Sequence, residues 1–159
     1  MKSKMLVGLA VASMAATAAF AIPAPMFLKN AAQGDQSEVT LGNLAAQRGA
    51  SAGVKDYGRR LASDHGAHLR KVQGLARRMR VALPSGMKPD ARAAYRSLQR
   101  LRGAAFDRMF VQHMAADHRK DIGDYESQAR SGDRQTATLA RDTLPTLREH
   151  LRVAERLSH

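Results

Sequence analysis

The sequence predicts an all-α fold: an antiparallel four-helix bundle with a short connecting helix between the second and third long helices. Two observations carry this. Apolar residues recur at alternating steps of four and three along four long stretches, which is the spacing of one helical face. Turn signals separate the stretches, at Gly49-Ala50-Ser51, Leu83-Pro84-Ser85-Gly86 and Ser131-Gly132-Asp133. A third observation concerns chemistry. Each long stretch places an acid or a histidine on its inward face: Glu38, the Asp64-His65 pair with His68, the Asp117-His118 pair, and His150. Titratable side chains are costly to bury unless they are paired or bound to something. One such group per helix, at similar depth, predicts a polar layer inside the bundle.

Residues 1–21 are expected to precede the fold. Lys2 and Lys4 open the chain, Met5 to Ala19 is apolar and small, and Ala19-Phe20-Ala21 ends in a small-x-small pattern. This reads as a secretory signal cut after Ala21, too short and too poorly flanked to span a membrane stably. Residues 22–159 then form one helical domain, periplasmic or secreted, with no transmembrane span left after cleavage. The chain has 0 Cys, which excludes a lipid anchor on cysteine, a cysteine nucleophile and any disulfide.

The first helix is predicted from about Met26 to Arg48, with Phe27, Ala31, Gly34, Glu38, Leu41 and Ala45 on one face. Ser51 is a plausible N-cap for the second, predicted from Ala52 to Val81. Its stripe of Val54, Gly58, Leu61, Val72, Leu75 and Met79 is interrupted centrally by His65 and His68. Pro84 is expected to stop it. A thin apolar stripe over Pro89 to Arg102 predicts the connector, with proline in its first turn. The third long helix should run from Ala104 to Arg130 along Phe106, Phe110, Met114, His118, Ile122 and Tyr125. Asp107 reads as a carboxylate favouring the start of that helix. The fourth should run from Arg134 to Leu157 along Leu139, Leu147, His150 and Ala154, with Pro145 kinking or dividing it. The tight turns near Ala50 and Gly132 bring the polar positions of each helix pair within about one helical turn of a common height.

The formal net charge is +12, and loss of Lys2 and Lys4 leaves 12 − 2 = +10. Arginines cluster at Arg59-Arg60, at Arg77, Arg78 and Arg80, and at Arg96, Arg100 and Arg102. Such a balance in the cytosol would raise nucleic acid as a partner. Export argues against it, and anionic envelope lipid or polymer is the natural counter-charge. A plainly solvated surface is the alternative.

Carboxylate plus imidazoles is a ligand set suited to zinc, iron, copper or manganese. The metal candidates are therefore Glu38, Asp64, His65, His68, Asp117, His118 and His150. The chain lacks the paired Glu-x-x-His motifs of di-iron bundles, and its nearest equivalents are Asp64-x-x-x-His68 and His113-x-x-x-Asp117. Met109, Met114, His113 and His118 compare with soft-metal sites, although methionine at helical spacing usually fills a core. A metal-free network of hydrogen bonds and ion pairs would satisfy the same layer. A pH-sensitive bundle, loosened as histidines charge below about pH 6, is a further reading. No serine triad or phosphate loop is present, so a non-catalytic role, such as envelope interaction or stress protection through the arginine-rich surface, stays open beside metal binding.

The residues assembled above carry a resemblance. Phe27-Leu28-x-x-Ala31-Ala32-x-Gly34, Glu38-Val39, Val54-Lys55, Asp64-His65, Gly103-Ala104-Ala105-Phe106-Asp107, Asp117-His118 and Thr143-Leu144-Pro145-Thr146-Leu147-x-x-His150 resemble the secreted bacterial family called domain of unknown function 4142. The resemblance covers nearly all of residues 22–159. It implies a ferritin-like four-helix bundle exported from a Gram-negative cell, and it brings no reaction with it. Glu38, Asp64, His65, Asp107, His118 and His150 match its pattern, whereas His68, His113 and Met114 lie outside it. The stretch from Phe106 to His118 is also similar to a related secreted family that binds copper through Met-x-x-His-His. Asp117 stands in the first His place, which implies a harder site.

Overall fold

The computed structural model describes residues 22–159, so the signal expected over 1–21 lies outside the described residues. Those described form five helices and no strand: α1 (Ala24–Arg48), α2 (Ala52–Arg78), α3 (Pro89–Arg100), α4 (Gly103–Ser131) and α5 (Arg134–Leu157). None is long and apolar enough to cross a membrane.

The boundaries differ from the sequence reading where backbone chemistry intervenes. α1 begins at Ala24 rather than Met26, because Pro25 fits the first turn, where its missing N–H has no helical partner to lose. α2 stops at Arg78, short of the predicted Val81. Arg80 adopts the left-handed conformation, with φ 55°. Its N–H donates to the Arg77 carbonyl at 3.2 Å, and the Val81 N–H donates to the Ala76 carbonyl at 2.9 Å. This Schellman arrangement closes the helix before Pro84 can act. Pro145 does not divide the last helix, which runs unbroken from Arg134 to Leu157. Leu144 and Leu147 are buried on either side of it and hold the segment against the core.

α1 and α2 form an antiparallel hairpin, and its closest approach is at Gly42 and Gly58. A Cβ on Gly58 would lie 2.5 Å from the Gly42 carbonyl oxygen and 2.7 Å from the Ala46 nitrogen. Backbone meets backbone there, and nothing flexible can yield. Gly58→Ala is expected to push the hairpin apart and cost about 1–3 kcal/mol. The check is the urea midpoint, and an unchanged value would show the contact to be slack.

α4 and α5 form the second hairpin, joined near its turn by Gln128 Nε2 donating to Thr136 Oγ1 at 2.8 Å. The hairpins meet through α1 against α4 and α2 against α5. The register is set by Phe27 on Tyr125 and by Gly53 beside Leu157. Each long helix thus runs antiparallel to both of its main neighbours, and α3 carries the chain from α2 across to α4.

Asp107 does not serve the start of its own helix. Its Oδ1 accepts from the Ala50 N–H at 2.8 Å, and its Oδ2 accepts from the Ser51 N–H at 2.9 Å. It binds the donors of the α1–α2 turn, just ahead of a helix start that is short of acceptors. Ser51 adds the predicted cap, its hydroxyl accepting from the Val54 N–H at 3.2 Å. Asp107→Ala is expected to cost about 0.5–2 kcal/mol, the range of a lost cap. Thermal melting reads the loss, and amide exchange at Ala50 and Ser51 should quicken with it.

The apolar core falls into two clusters. One, toward the α1–α2 turn, holds Leu41, Leu61, Phe106, Phe110 and Met114. The other, toward the α4–α5 turn, holds Leu28, Val72, Leu75, Tyr125 and Leu147. Between them lies a buried polar layer of Asp35, Glu38, His65, His68, His118 and His150.

Candidate metal centre

The layer is built by helical register. On α1, Asp35 and Glu38 follow Ala31 at steps of four and three and face inward together. On α2, His65 and His68 continue the stripe of Leu61 and Val72. His118 on α4 and His150 on α5 occupy the same level from the other hairpin, 1% and 0% exposed.

Neighbouring acceptors decide which nitrogen of each ring carries a proton. His118 Nδ1 lies 2.9 Å from the Met114 carbonyl oxygen, which can only accept, so Nδ1 donates and Nε2 presents a lone pair. His150 Nε2 lies 2.9 Å from Asp64 Oδ2, so Nε2 donates and Nδ1 presents a lone pair. His65 Nδ1 donates to Asp35 Oδ1 at 3.0 Å, which leaves His65 Nε2 buried and without a partner.

These lone pairs converge. His118 Nε2 faces His150 Nδ1 at 3.2 Å, and one ring nitrogen from each of His65, His118 and His150 lies within 4.8 Å of the others. Burial, then the neighbouring imidazoles His65 and His150, pushes His118 down to about 3. Burial also pushes His150 down to about 4, outweighing the hydrogen bond to Asp64. Both rings are therefore neutral at ordinary pH. Three short contacts run in series, from Met114 O to His118, from His118 to His150, and from His150 to Asp64. Each needs one proton, and two neutral imidazoles supply only two. The contact left without a proton is the inner one, where lone pair meets lone pair.

The outer partners complete the pattern. Histidines that ligate a metal hold their other N–H on a carboxylate or backbone carbonyl, which fixes the tautomer and aims the ring. Asp35, the Met114 carbonyl and Asp64 do this for His65, His118 and His150 in turn. Nitrogen ligands about 2.0–2.1 Å from a tetrahedral zinc sit about 3.3–3.4 Å from one another, close to the 3.2 Å between His118 and His150.

The remaining acids and His68 surround this triad. Asp35 also receives His68 Nδ1, at 3.0 Å on Oδ1 and 2.9 Å on Oδ2. Burial raises the Asp35 carboxyl, but the two imidazole hydrogen bonds bring it net below the usual range. Burial, then the charge of Asp117, pushes Glu38 well up, so it is a neutral acid that donates to Asp117. Burial also raises Asp117, but Lys88 and the Glu38 proton hold it net low. Burial lifts Asp121 to about 6 despite the Lys88 ammonium 3.5 Å away. A cleft of about 230 Å³ reaches the layer beside His65 and His68, with Asp117, Asp121 and Lys88 in its walls.

The profile of the family described as Domain of unknown function (DUF4142) matches residues 9–157. The chain belongs to that family. Among solved structures, this DUF4142 chain is similar to the crystal structure of a DUF305 fragment from Deinococcus radiodurans, at 18% identity and a TM-score of 0.76, over 87% of this chain and 97% of that one. At that identity the likeness is one of fold alone. Comparison with curated proteins gave no match.

In this DUF4142 chain, three of the residues singled out in the sequence converge on one point: His65, His118 and His150. Asp64 stands behind His150 rather than facing that point. Glu38 and Asp117 pair with each other, and Glu38 Oε1 is 3.9 Å from His118 Nδ1, beyond hydrogen-bond reach. His68 turns to Asp35. His113 is half-buried and outside the triad, and Met114 takes part through its carbonyl. Asp35 escaped the sequence reading. Its signal was available, because it lies on the inward face between Ala31 and Glu38. Lys88 and Asp121 were missed because the connector's path over α1 and α4 is not written in local periodicity.

Proposed function

We propose that this protein binds one divalent transition metal through His65 Nε2, His118 Nε2 and His150 Nδ1, and that this is its primary chemistry. The observation that carries the reading is the inner contact of two lone pairs, which a cation at that point resolves. The donors are three imidazoles, with no thiolate. Imidazole sets suit zinc, copper and iron better than manganese, which prefers oxygen. Three histidines leave a fourth coordination position open, as in zinc sites that hold water or a small ligand. Because burial keeps His118 and His150 neutral into mild acid, protons compete weakly for those two rings.

Metal-stripped protein titrated with zinc, copper(II), iron(II) and manganese should take up one equivalent. Tightness should fall from copper(II) to zinc to iron(II) to manganese. At a hundredfold excess of free metal over Kd, the gain of about 2.7 kcal/mol should raise the melting temperature by roughly 5–10 °C. Absence of both uptake and shift with all four ions would end this reading.

The same proposal takes the architecture as a ferritin-like four-helix bundle with one long crossover. The antiparallel neighbours and the path of α3 support it. It also takes the protein as exported to the periplasm or beyond. Lys2, Lys4, the apolar stretch to Ala19 and the Ala19-Phe20-Ala21 ending support that placement.

A further inference from the structure

A groove of about 690 Å³ runs between α2 and α5, beginning just past His68 on α2 and leading away from the histidine layer. Its walls are the matching stretches 70–78 and 134–142. Because α2 and α5 run antiparallel, Arg78 and Arg134 lie toward one end of the groove and Arg70 and Asp142 toward the other. Leu75 and Leu139 form the floor, and Gly74 has no side chain to cover it.

The charge is one-sided. Arg70, Lys71, Arg78 and Arg134 line the groove against the single carboxylate of Asp142. None of the four cations has a side-chain hydrogen bond or ion pair among the described residues. Elsewhere the exposed arginines are mostly engaged, as in Arg119 with Glu155 and Arg148 with Glu126, both at 2.8 Å. At one end of the groove Arg78 and Arg134 stand on its two walls, and no carboxylate in the lining lies at that end. Such a juxtaposition is unfavourable unless an anion bridges it.

The same end of the molecule carries apolar side chains in the open. Phe27 and Leu28 at the start of α1 pack in one cluster with Leu75 and Leu139, so Ile22 and Met26 lie at the same end of the helices, outside the groove, with Ile22 bordering the cleft that reaches the histidine layer. They are 37% and 52% exposed. A soluble polyanion has no use for them, whereas a bilayer surface accepts apolar and cationic groups side by side.

We propose that this end of the molecule docks on a membrane surface, with the α2–α5 groove binding the phosphate headgroup of an anionic phospholipid between Arg78 and Arg134. The headgroup neutralises the guanidiniums on the two walls, its glycerol end lies over Leu75 and Leu139, and Ile22 and Met26 enter the interface from the start of α1 at the same end. The metal centre plays no part in this contact, so either assignment can fail without the other.

Flotation of the full chain with vesicles tests it. The readout is the affinity for phosphatidylglycerol-containing vesicles relative to neutral phosphatidylcholine vesicles, which cancels any contribution from the apolar N-terminal residues. Arg78→Glu with Arg134→Glu should lower that ratio at least about thirtyfold, from about fivefold for each of the two charge contacts, with the added repulsion beyond that. Arg96→Glu with Arg108→Glu changes net charge equally at the opposite end of the helices, beyond a screening length, and should lower it less than about twofold. All four positions are exposed, and unchanged helical circular dichroism checks folding. Equal losses for both pairs would reduce the effect to net charge and overturn the site. So would equal binding to neutral vesicles, or displacement by millimolar inorganic phosphate at fixed ionic strength, which would assign the groove to a small soluble anion.

Discussion

Replacing His118 with leucine is expected to abolish metal uptake and, in the metal-free protein, to raise the melting temperature. The first half follows from losing a ligand. Even outer partners of metal-binding histidines are worth about 10–100-fold in affinity, and Asp64→Asn should fall in that range, whereas losing His118 should remove binding altogether. The second half follows from the proton count. Without metal, His118 Nε2 and His150 Nδ1 confront each other at 3.2 Å with no proton between them. An apolar side chain of similar volume removes that conflict, much as apolar replacement of buried ion pairs is often neutral or stabilising. The Met114 carbonyl loses little, because it is still an acceptor within α4. A gain near 1 kcal/mol corresponds to roughly 2–4 °C. Opposite movements of metal affinity and apo stability are the signature of a site kept for binding at the expense of the fold. A leucine variant that melts lower than the apo wild type would show the layer to be a satisfied network instead.

The second large effect concerns pH, and its sign comes from groups pulling in opposite directions. His118 and His150 have folded values of about 3 and about 4 against about 6.5 unfolded. As pH falls below 6.5 the unfolded chain takes up those protons and the fold does not, so stability is lost. Glu38 and Asp121 act conversely. Their folded values are raised, Asp121 to about 6 and Glu38 well up, so the fold holds protons that the unfolded chain gives up. Their contribution is complete below their unfolded values and is lost as pH rises through the folded ones. Between about pH 6 and 4.5 the two imidazoles and two carboxylic acids nearly cancel. The apo protein should be most stable there, weaken toward alkaline pH through Glu38, and weaken below pH 4 as the low-lying Asp35 and Asp117 protonate. Glu38→Gln keeps a donor for Asp117 while removing one titration. Relative to wild type it should gain about 1.4 kcal/mol per pH unit from pH 4.5 upward. Urea midpoints of metal-free protein from pH 4 to 8 measure this, and parallel curves for the two proteins would contradict a neutral buried Glu38. The expectation of a fold that loosens below about pH 6 as its histidines charge is therefore revised for two of them: burial keeps His118 and His150 neutral well below that.

Much of the architecture is legible in the chain because apolar spacing and turn residues act locally. Five helices lie where periodicity puts them, and the polar layer is visible as four interruptions of otherwise apolar stripes. The Schellman ending at Arg80 was not legible, since arginine rarely signals a left-handed residue. The continuity of α5 through Pro145 depends on tertiary support that local chemistry does not encode. Asp107 shows the same limit, because its partners, Ala50 and Ser51, are distant in sequence. The site was legible as a set of residue types but not as roles. Dividing the converging rings (His65, His118, His150) from their outer supports (Asp35, Asp64, Met114) requires knowing which nitrogen each acceptor claims.

The triad draws one member from the first hairpin and two from the second: His65 from α2, His118 from α4 and His150 from α5. Neither hairpin alone carries all three of these imidazoles. If an ion binds as proposed, its capture comes last in assembly and acts as a latch, so a chelator should let the halves of the loaded protein breathe apart at their seam while each hairpin keeps its own protection.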